Sequence, residues 1–438
     1  MDKIKLRQIC FYFACVAPSV KFIVYPATLT YEAGNDLLLA ALGSFLAQGL
    51  VLAAVFWLSS RTDKTFFALL QGAFGKAAAR AVYGAFALYF LFSALLPMLE
   101  QRSFVMLVLY ENVPSVLSYA PFFAVSAFAC SKGFKALGRA ADLALPLFCT
   151  AFAVLIALAV PEADFGALLP VARRGAGIFR GGLFGLNWHA ECAYPLFFLG
   201  RFERNKGDAA KVLLSFAAGA AAVLLFLAVF YGVFEDIAVL RQNSIAHISK
   251  YTTAFTSLGR IDLLFIFAMT LVNVFALCVP VQMCVHCTHA ALPRCGRLWP
   301  ALAASGALLA AVLLLNYSFL EMQQLVTQRL WAVFLLFAYA VPLAAALLFG
   351  LREGKARPAP RRHRGRERAR RLCAEKRLRQ KRASRLHPRT RRGRERARRL
   401  HTEKHLRQKR ARLHAEKRAR ALCARKSAPA RGGREEGA

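Results

Sequence analysis

Ten stretches of roughly twenty apolar residues follow one another between residues 8 and 350, the length needed to cross a bilayer core of about 30 Å as a helix. Their approximate limits are 8–31, 36–59, 81–101, 113–130, 143–160, 183–200, 212–234, 262–286, 298–315 and 328–350. Hydrocarbon offers no water to pair with exposed backbone, so a chain crosses it as helices or as a closed barrel. Runs this long and this continuously apolar select helices. The expected fold class is all-α, a polytopic membrane protein with about ten transmembrane helices. With 57% hydrophobic residues in 438, an ordinary soluble domain is excluded. A further stretch, 66–79, places Phe66, Phe67, Leu70 and Phe74 at helical spacing and is expected to lie at the membrane interface between spans 2 and 3.

Charge divides the chain in two. The net charge is +36, and residues 352–438 hold 35 Lys/Arg against 8 Asp/Glu, a net +27. The reading is a transmembrane domain over 1–351 and an Arg-rich, low-complexity tail over 352–438. Between the spans, 16 basic residues fall on the side of the N-terminus and 8 on the other. The positive-inside rule then puts both termini in the cytoplasm. The first apolar run follows Lys3, Lys5 and Arg7 as in a signal peptide, but it is long and lacks a clear small-residue cleavage site, so it is read as retained. Most of the 11 cysteines lie within apolar runs, and their number is odd, which argues against a disulfide framework.

Span 1 carries Pro18, Ser19, Val20 and Lys21 near its middle. Lys21 is about ten residues from either end, roughly 15 Å at helical rise, a long way to reach headgroups. Charges at this depth usually mark a binding or ion pathway. Ten spans divide into two sets of five, and span 6 is the counterpart of span 1. It contains Gly185, Asn187, Trp188, Glu191 and Pro195. Paired, interrupted and charged first helices point to a midplane site of the kind found in inverted-repeat transporters. Broken helices expose N–H groups that suit a carboxylate and C=O groups that, with Glu191, suit an ammonium. Lys21 has four readings: a carboxylate ligand, a charge standing where related transporters hold sodium, a partner of Glu191, or a side chain that snorkels along its stem to the headgroups.

Other polar residues are weaker candidates. Glu100 either faces the cavity or ends span 3 at the interface. His189 reads as a packed or interfacial histidine, and Asn273 as an interhelical hydrogen-bonding residue. Cys284, His286, Cys287 and His289 are metal-type residues without a second pair at zinc spacing, so they read as an apolar helix end. No Walker A loop, dinucleotide fingerprint or nucleophile elbow is present. The expectation is a protein that is not an enzyme and needs no cofactor.

Ile4-Lys-Leu-Arg7-Gln8, Pro26 and Gly34-Asn-Asp36-Leu-Leu resemble the opening of the spore germination permeases. These are the membrane B subunits of GerA-type nutrient germinant receptors, in the amino acid/polyamine/organocation transporter superfamily. Gly133-Phe-Lys-Ala-Leu-Gly-Arg139 with Asp142 and Pro146, the run Asp164 to Val171 with Leu169-Pro170-Val171, and Leu258-Gly-Arg260-Ile-Asp262 resemble later segments of that family. The resemblance spans residues 4–350. It implies the inverted five-helix repeat of LeuT-type transporters, and a small-molecule germinant, often an amino acid, bound between helices 1 and 6. It also implies A- and C-type receptor subunits as partners and a place in the cell membrane or spore inner membrane. Lys135 stands where the family commonly has an acidic residue, and Pro18 to Lys21 replaces its usual glycine-containing break. The alternative function is an ion- or proton-coupled amino acid permease; a membrane enzyme has no motif in its favour.

The tail is not part of the family pattern. Residues 365–382 recur at 393–410, with 15 of 18 positions identical. No continuous apolar face runs through it, so it is expected to be disordered or loosely helical, and either drawn to anionic lipid or a functionally idle extension. Nucleic acid is an unlikely partner, because the excess charge sits in this tail and not across the chain.

Overall fold

A computed structural model describes residues 4–108, 115–188, 191–201, 207–251, 261–314 and 324–354. Contacts divide the chain into Met1–Ala356 and Arg357–Ala438, and the described residues all belong to the first unit. The tail repeats and the segment 258–260 lie outside them.

Helices occupy every predicted span, and no strand occurs among the described residues. Span 1 comprises Leu6–Phe11, Tyr12–Val16, Ala17–Val20 and Tyr25–Ala33. Spans 2 to 5 are Leu37–Arg61, Phe66–Val108, Ser115–Lys132 and Phe134–Ala159. Span 6 runs over Gly175–Trp188, Glu191–Ala193 and Tyr194–Phe197. Spans 7 to 9 are Asp208–Phe234, Ile261–Ala291 and Leu298–Leu314, and span 10 extends from Leu325–Arg329 to Val341–Gly354. Among the described residues, six helical runs are long and apolar enough to cross a membrane by length and composition. The chain is an integral membrane protein.

The stretch 66–79 differs from expectation. It opens span 3, kinked at Gly75, whose φ of 84° only glycine adopts readily. Phe66 and Leu70 are buried in the core, whereas Phe74 is exposed. Its apolar face therefore packs on protein as well as facing outward.

Spans 2 and 6 approach through small residues. A Cβ added at Gly181 would lie 3.0 Å from Ala40 Cβ and 3.1 Å from Leu29 Cδ1. One at Gly185 would lie 2.8 Å from Ser44 Oγ and 3.0 Å from the Tyr25 hydroxyl. One at Gly177 would lie 2.9 Å from the Glu32 carbonyl oxygen. These glycines recur every four residues, so they share one helix face, and that face lets backbones close where lipid gives no hydrophobic drive. Gly185 is therefore not the break in span 6. It sits inside a regular helix.

The two ends of the bundle are stapled by polar residues. At the face carrying the N-terminus, Asp142 of span 5 pairs with Arg7 at 3.0 Å and accepts from Gln8 Nε2 at 3.3 Å. The Ile4 amide donates to the Arg201 carbonyl at 3.2 Å. At the opposite face, buried Asp36 accepts from the amides of Ala172 and Arg174 at 2.6 and 2.7 Å, and Asn35 Nδ2 donates to the Pro170 carbonyl at 2.8 Å. The turn between spans 1 and 2 thus holds the long link between spans 5 and 6. The link after span 7 forms a helix, Ser244–Tyr251, on which half-buried His247 is held below the ordinary imidazole range by burial and then by Arg241 and Lys250.

Asp36→Ala is expected to remove about 2 kcal/mol of stability, since two amides lose a charged acceptor. Limited proteolysis should then cut within 161–174 faster than in the parent protein; an unchanged rate contradicts the staple. Gly181→Leu is expected to prevent spans 2 and 6 from closing, read as loss of a monodisperse peak in detergent, with Gly84→Leu, where an added Cβ meets nothing within 4 Å, as the tolerated control.

Candidate functional site

Span 1 is irregular where proline and lysine demand it. Pro18 has no N–H for the carbonyl four residues earlier. The preceding turn, Tyr12–Val16, widens to a π-helix, and Gly219 of span 7 makes room for it: a Cβ there would collide with the Phe13 carbonyl. Helix resumes over Ala17–Val20, with Pro18 in its first turn, and unwinds over 21–24. The break thus begins at Lys21 rather than at Pro18, Ser19 and Val20, which are helical. Proline is well suited to starting a helix segment, and Pro26 does the same in the first turn of Tyr25–Ala33.

The unwound carbonyls have partners from far along the chain. Phe22 and Ile23 accept from the amides of Ile245 and Ser244 at 3.2 and 2.9 Å. The start of Ser244–Tyr251 therefore caps the break, as backbone at membrane depth requires.

Span 6 is α-helical through Gly185 and Asn187 to Trp188, forms a 3-10 turn over Glu191–Ala193, and is α-helical again over Tyr194–Phe197. The side chain of Trp188, with His189 and Ala190, lies outside the described residues. Pro195 falls in the first turn of Tyr194–Phe197 and starts that segment.

The unwound stretch of span 1 and the 3-10 turn of span 6 meet through an ion pair. Lys21 Nζ lies 2.9 Å from Glu191 Oε2, with the side chains 3% and 12% exposed. The ammonium also sits 5.4 Å from the centroid of the Phe45 ring. Lys21 follows the C-terminal end of Leu6–Val20, where helix carbonyls favour a cation.

Beside the pair is a cavity of about 40 Å³, room for roughly two or three waters. Tyr12, Ala17 and Val20 of span 1, Ser93 and Pro97 of span 3, Glu191 and Tyr194 of span 6, and Ala276, Leu277 and Pro280 of span 8 line it. Pro97 and Pro280 each deprive the carbonyl four residues earlier of its helical donor. Those residues are Ser93 and Ala276, which line the same cavity. Spans 3 and 8 therefore each put a proline turn in its wall. Toward the N-terminal face, aromatic rings close the way. Phe197 packs within 5.0–5.7 Å of Phe66, Tyr83, Phe86 and Phe90.

The structure brings Val20, Lys21 and Glu191 together at the cavity. Ser19 donates to the Val16 carbonyl of its own helix, and Pro18 packs toward Gly219. Gly185 serves the seam with span 2. Asn187 is buried with its Oδ1 lacking a hydrogen-bond donor. Glu100 is fully buried within span 3, eight residues before its end, so it is neither an interfacial helix end nor among the cavity's lining residues. Asn273 is buried too, with Oδ1 lacking a donor. Sequence reasoning missed Tyr12, Tyr194 and the proline pairs of spans 3 and 8. The signal available for the pairs was a mid-span proline in each of two further helices. Among the described residues no cluster of three His, Cys, Asp or Glu suits a metal.

The profile of the spore germination protein family matches residues 8–294. The chain belongs to this family. Among solved structures, this spore germination protein is similar to MhsT in complex with L-phenylalanine, with a TM-score of 0.53 and 12% identity, over 80% of this chain and 99% of that one. It also matches Mhp1, a nucleobase-cation-symport-1 family transporter in a closed conformation with bromovinylhydantoin bound. There the TM-score is 0.43 and the identity 12%, over 81% of this chain and 92% of that one. A search of curated protein sequences gives no match. The likeness to MhsT shows the fold, that of the LeuT-type transporters.

A double-mutant cycle tests the ion pair. Lys21→Met is expected to cost about 3–5 kcal/mol, because it takes away the cation 2.9 Å from a largely buried carboxylate. The double variant Lys21→Met/Glu191→Gln is expected to lose less than either single change. Losses that simply add in detergent unfolding experiments would show that the two residues are not coupled.

Proposed function

We propose that this transporter-like germination protein is the membrane subunit of a nutrient germinant receptor, and that it binds a small nutrient between spans 1 and 6. The observation that carries this reading is the cavity at the two facing breaks, with Lys21 and Glu191 buried beside it. Two opposite charges at membrane depth are costly to keep unless they serve recognition or specificity. The nutrient is an amino acid in this reading, since an ammonium and a carboxylate find complementary groups there. Binding widens a cavity that is now small, and the widening is passed to A- and C-type receptor subunits. Both termini are cytoplasmic, the membrane is the cell or spore inner membrane, and the basic tail lies against anionic lipid.

A second reading, an ion- or proton-coupled amino acid permease with net flux, is favoured by the transporter fold shared with MhsT. The two differ in whether solute crosses.

Spores carrying Lys21→Ala or Glu191→Ala are expected to lose germination to at least one single nutrient while still germinating with a receptor-independent trigger. If both variants respond normally to every nutrient, the site is elsewhere. Uptake of labelled amino acid into proteoliposomes separates the readings: flux abolished by Lys21→Ala supports the permease, and its absence the receptor.

A further inference from the structure

We infer that Tyr339 of span 10 is a positioning residue for Glu191. Its hydroxyl fastens the chain on both sides of that carboxylate to a widened turn of span 10. The inference builds on the reading above, in which Glu191 belongs to the site, and names what sets the place of that residue whatever the ligand.

The bonds bracket Glu191. Leu186 is among the last four residues of Gly175–Trp188, whose carbonyls have no donor within their own helix. The Tyr339 hydroxyl donates to the Leu186 carbonyl at 3.0 Å. On the other side of Glu191, the Cys192 thiol donates to the Ala338 carbonyl at 3.4 Å. The same thiol lies within hydrogen-bonding reach of the Tyr339 hydroxyl. Two neighbouring residues of span 10 thus hold residues 186 and 192 of span 6. Cys192 and Tyr339 are both buried, so water does not compete for these bonds. Tyr339 is not among the cavity's lining residues, so it acts through Leu186 and Cys192 rather than on a ligand.

Span 10 is shaped and held for this task. Leu336–Ala340 is a π-helix, closed by the Val341 amide on the Leu336 carbonyl, and such turns are frequent at functional sites. Phe337 in this turn stacks on Tyr89 of span 3 with centroids 5.1 Å apart, and meets Phe86 edge-on at 5.0 Å. At the far end of span 10 the Gly350 carbonyl accepts from Arg61 Nη1 at 3.4 Å, and the Arg61 guanidinium lies 4.3 Å from the centroid of the Trp57 ring. An anchor fixed to spans 2 and 3 keeps a turn of span 6 in place.

The test uses Cys192 as a native reporter. Full-length protein in lipid nanodiscs is treated with iodoacetamide, and alkylation of each cysteine is followed by peptide mass spectrometry. Tyr339→Phe keeps the ring and removes the hydroxyl. It is expected to speed alkylation of Cys192 about fivefold, the size of one lost neutral hydrogen bond. Cys15 and Cys130, which are as deeply buried, should keep their parent rates. Tyr89→Phe is the control: its ring packs on the same turn, but its hydroxyl has no hydrogen-bond partner among the described residues, so Cys192 should stay at the parent rate. In the Tyr339→Phe background, the coupling between Lys21→Met and Glu191→Gln should fall at least about threefold, because the carboxylate is no longer held in register. An unchanged Cys192 rate, an equal rise at all three cysteines, the same rise in Tyr89→Phe, or an unchanged coupling overturns the inference. Should Tyr339→Phe fail to fold, Cys192→Ala removes the thiol side of the tie. Amide hydrogen exchange over residues 336–341 is then expected to quicken about fivefold while span 7 keeps its parent rate, and unchanged exchange over 336–341 overturns the inference. Neither readout needs a ligand. If Cys192 and the coupling respond as expected while spores with Lys21→Ala and Glu191→Ala germinate normally, the positioning role stands and the reading of the site falls; the reverse result keeps the site and removes the role of Tyr339.

Discussion

Backbone that leaves a helix inside hydrocarbon has to find partners within the protein, and the architecture follows from how that need is met at residues 21–24. The carbonyls of Phe22 and Ile23 draw in the start of Ser244–Tyr251. The charge of Lys21 draws in Glu191 from the other broken helix. The wider turn before Pro18 needs Gly219 on span 7, because no larger residue leaves room for the Phe13 carbonyl. One interruption in the first span thus dictates residues in span 6, span 7 and the link that follows span 7.

The residues through which this chain resembles its family do a different job from those at the cavity. Arg7 and Gln8 meet Asp142, and Asn35 and Asp36 meet the loop from Pro170 to Arg174. Segments singled out separately in the sequence are joined in pairs, each pair near one end of the bundle. They fix the frame in which the breaks face each other. The cavity itself is built from Tyr12, Val20, Tyr194 and the proline turns of spans 3 and 8.

Much of the fold was legible in the sequence, because apolar length and loop charge report directly on the bilayer. A Lys21–Glu191 contact was one of four open readings for the lysine, which lies near the middle of its span. The position of each break was harder to read. Proline ends one helix and starts the next, so Pro18 and Pro195 identify the neighbourhood without saying on which side the chain unwinds. Gly185 misled for a related reason: glycine both loosens a helix and allows two helices to touch, and Ser44 opposite it decides for touching. Glu100 carried no signal that separates a helix end from a buried position, because apolar sequence continues beyond it. The capping of Phe22 and Ile23 left no trace at all, for amides of Ser244 and Ile245 look like any other backbone.

The distance along the chain between the partners has a consequence for biosynthesis. Lys21 is made 170 residues before Glu191 and more than that before Ser244. At about 5–20 residues per second the first span waits roughly ten to thirty seconds for its counter-ion. During that interval a lone ammonium and an opened backbone must remain near water or in the insertion machinery, for lipid cannot hold them. The leading helix of this protein therefore settles late, and its final seat in the membrane is set after the seventh span has been synthesised.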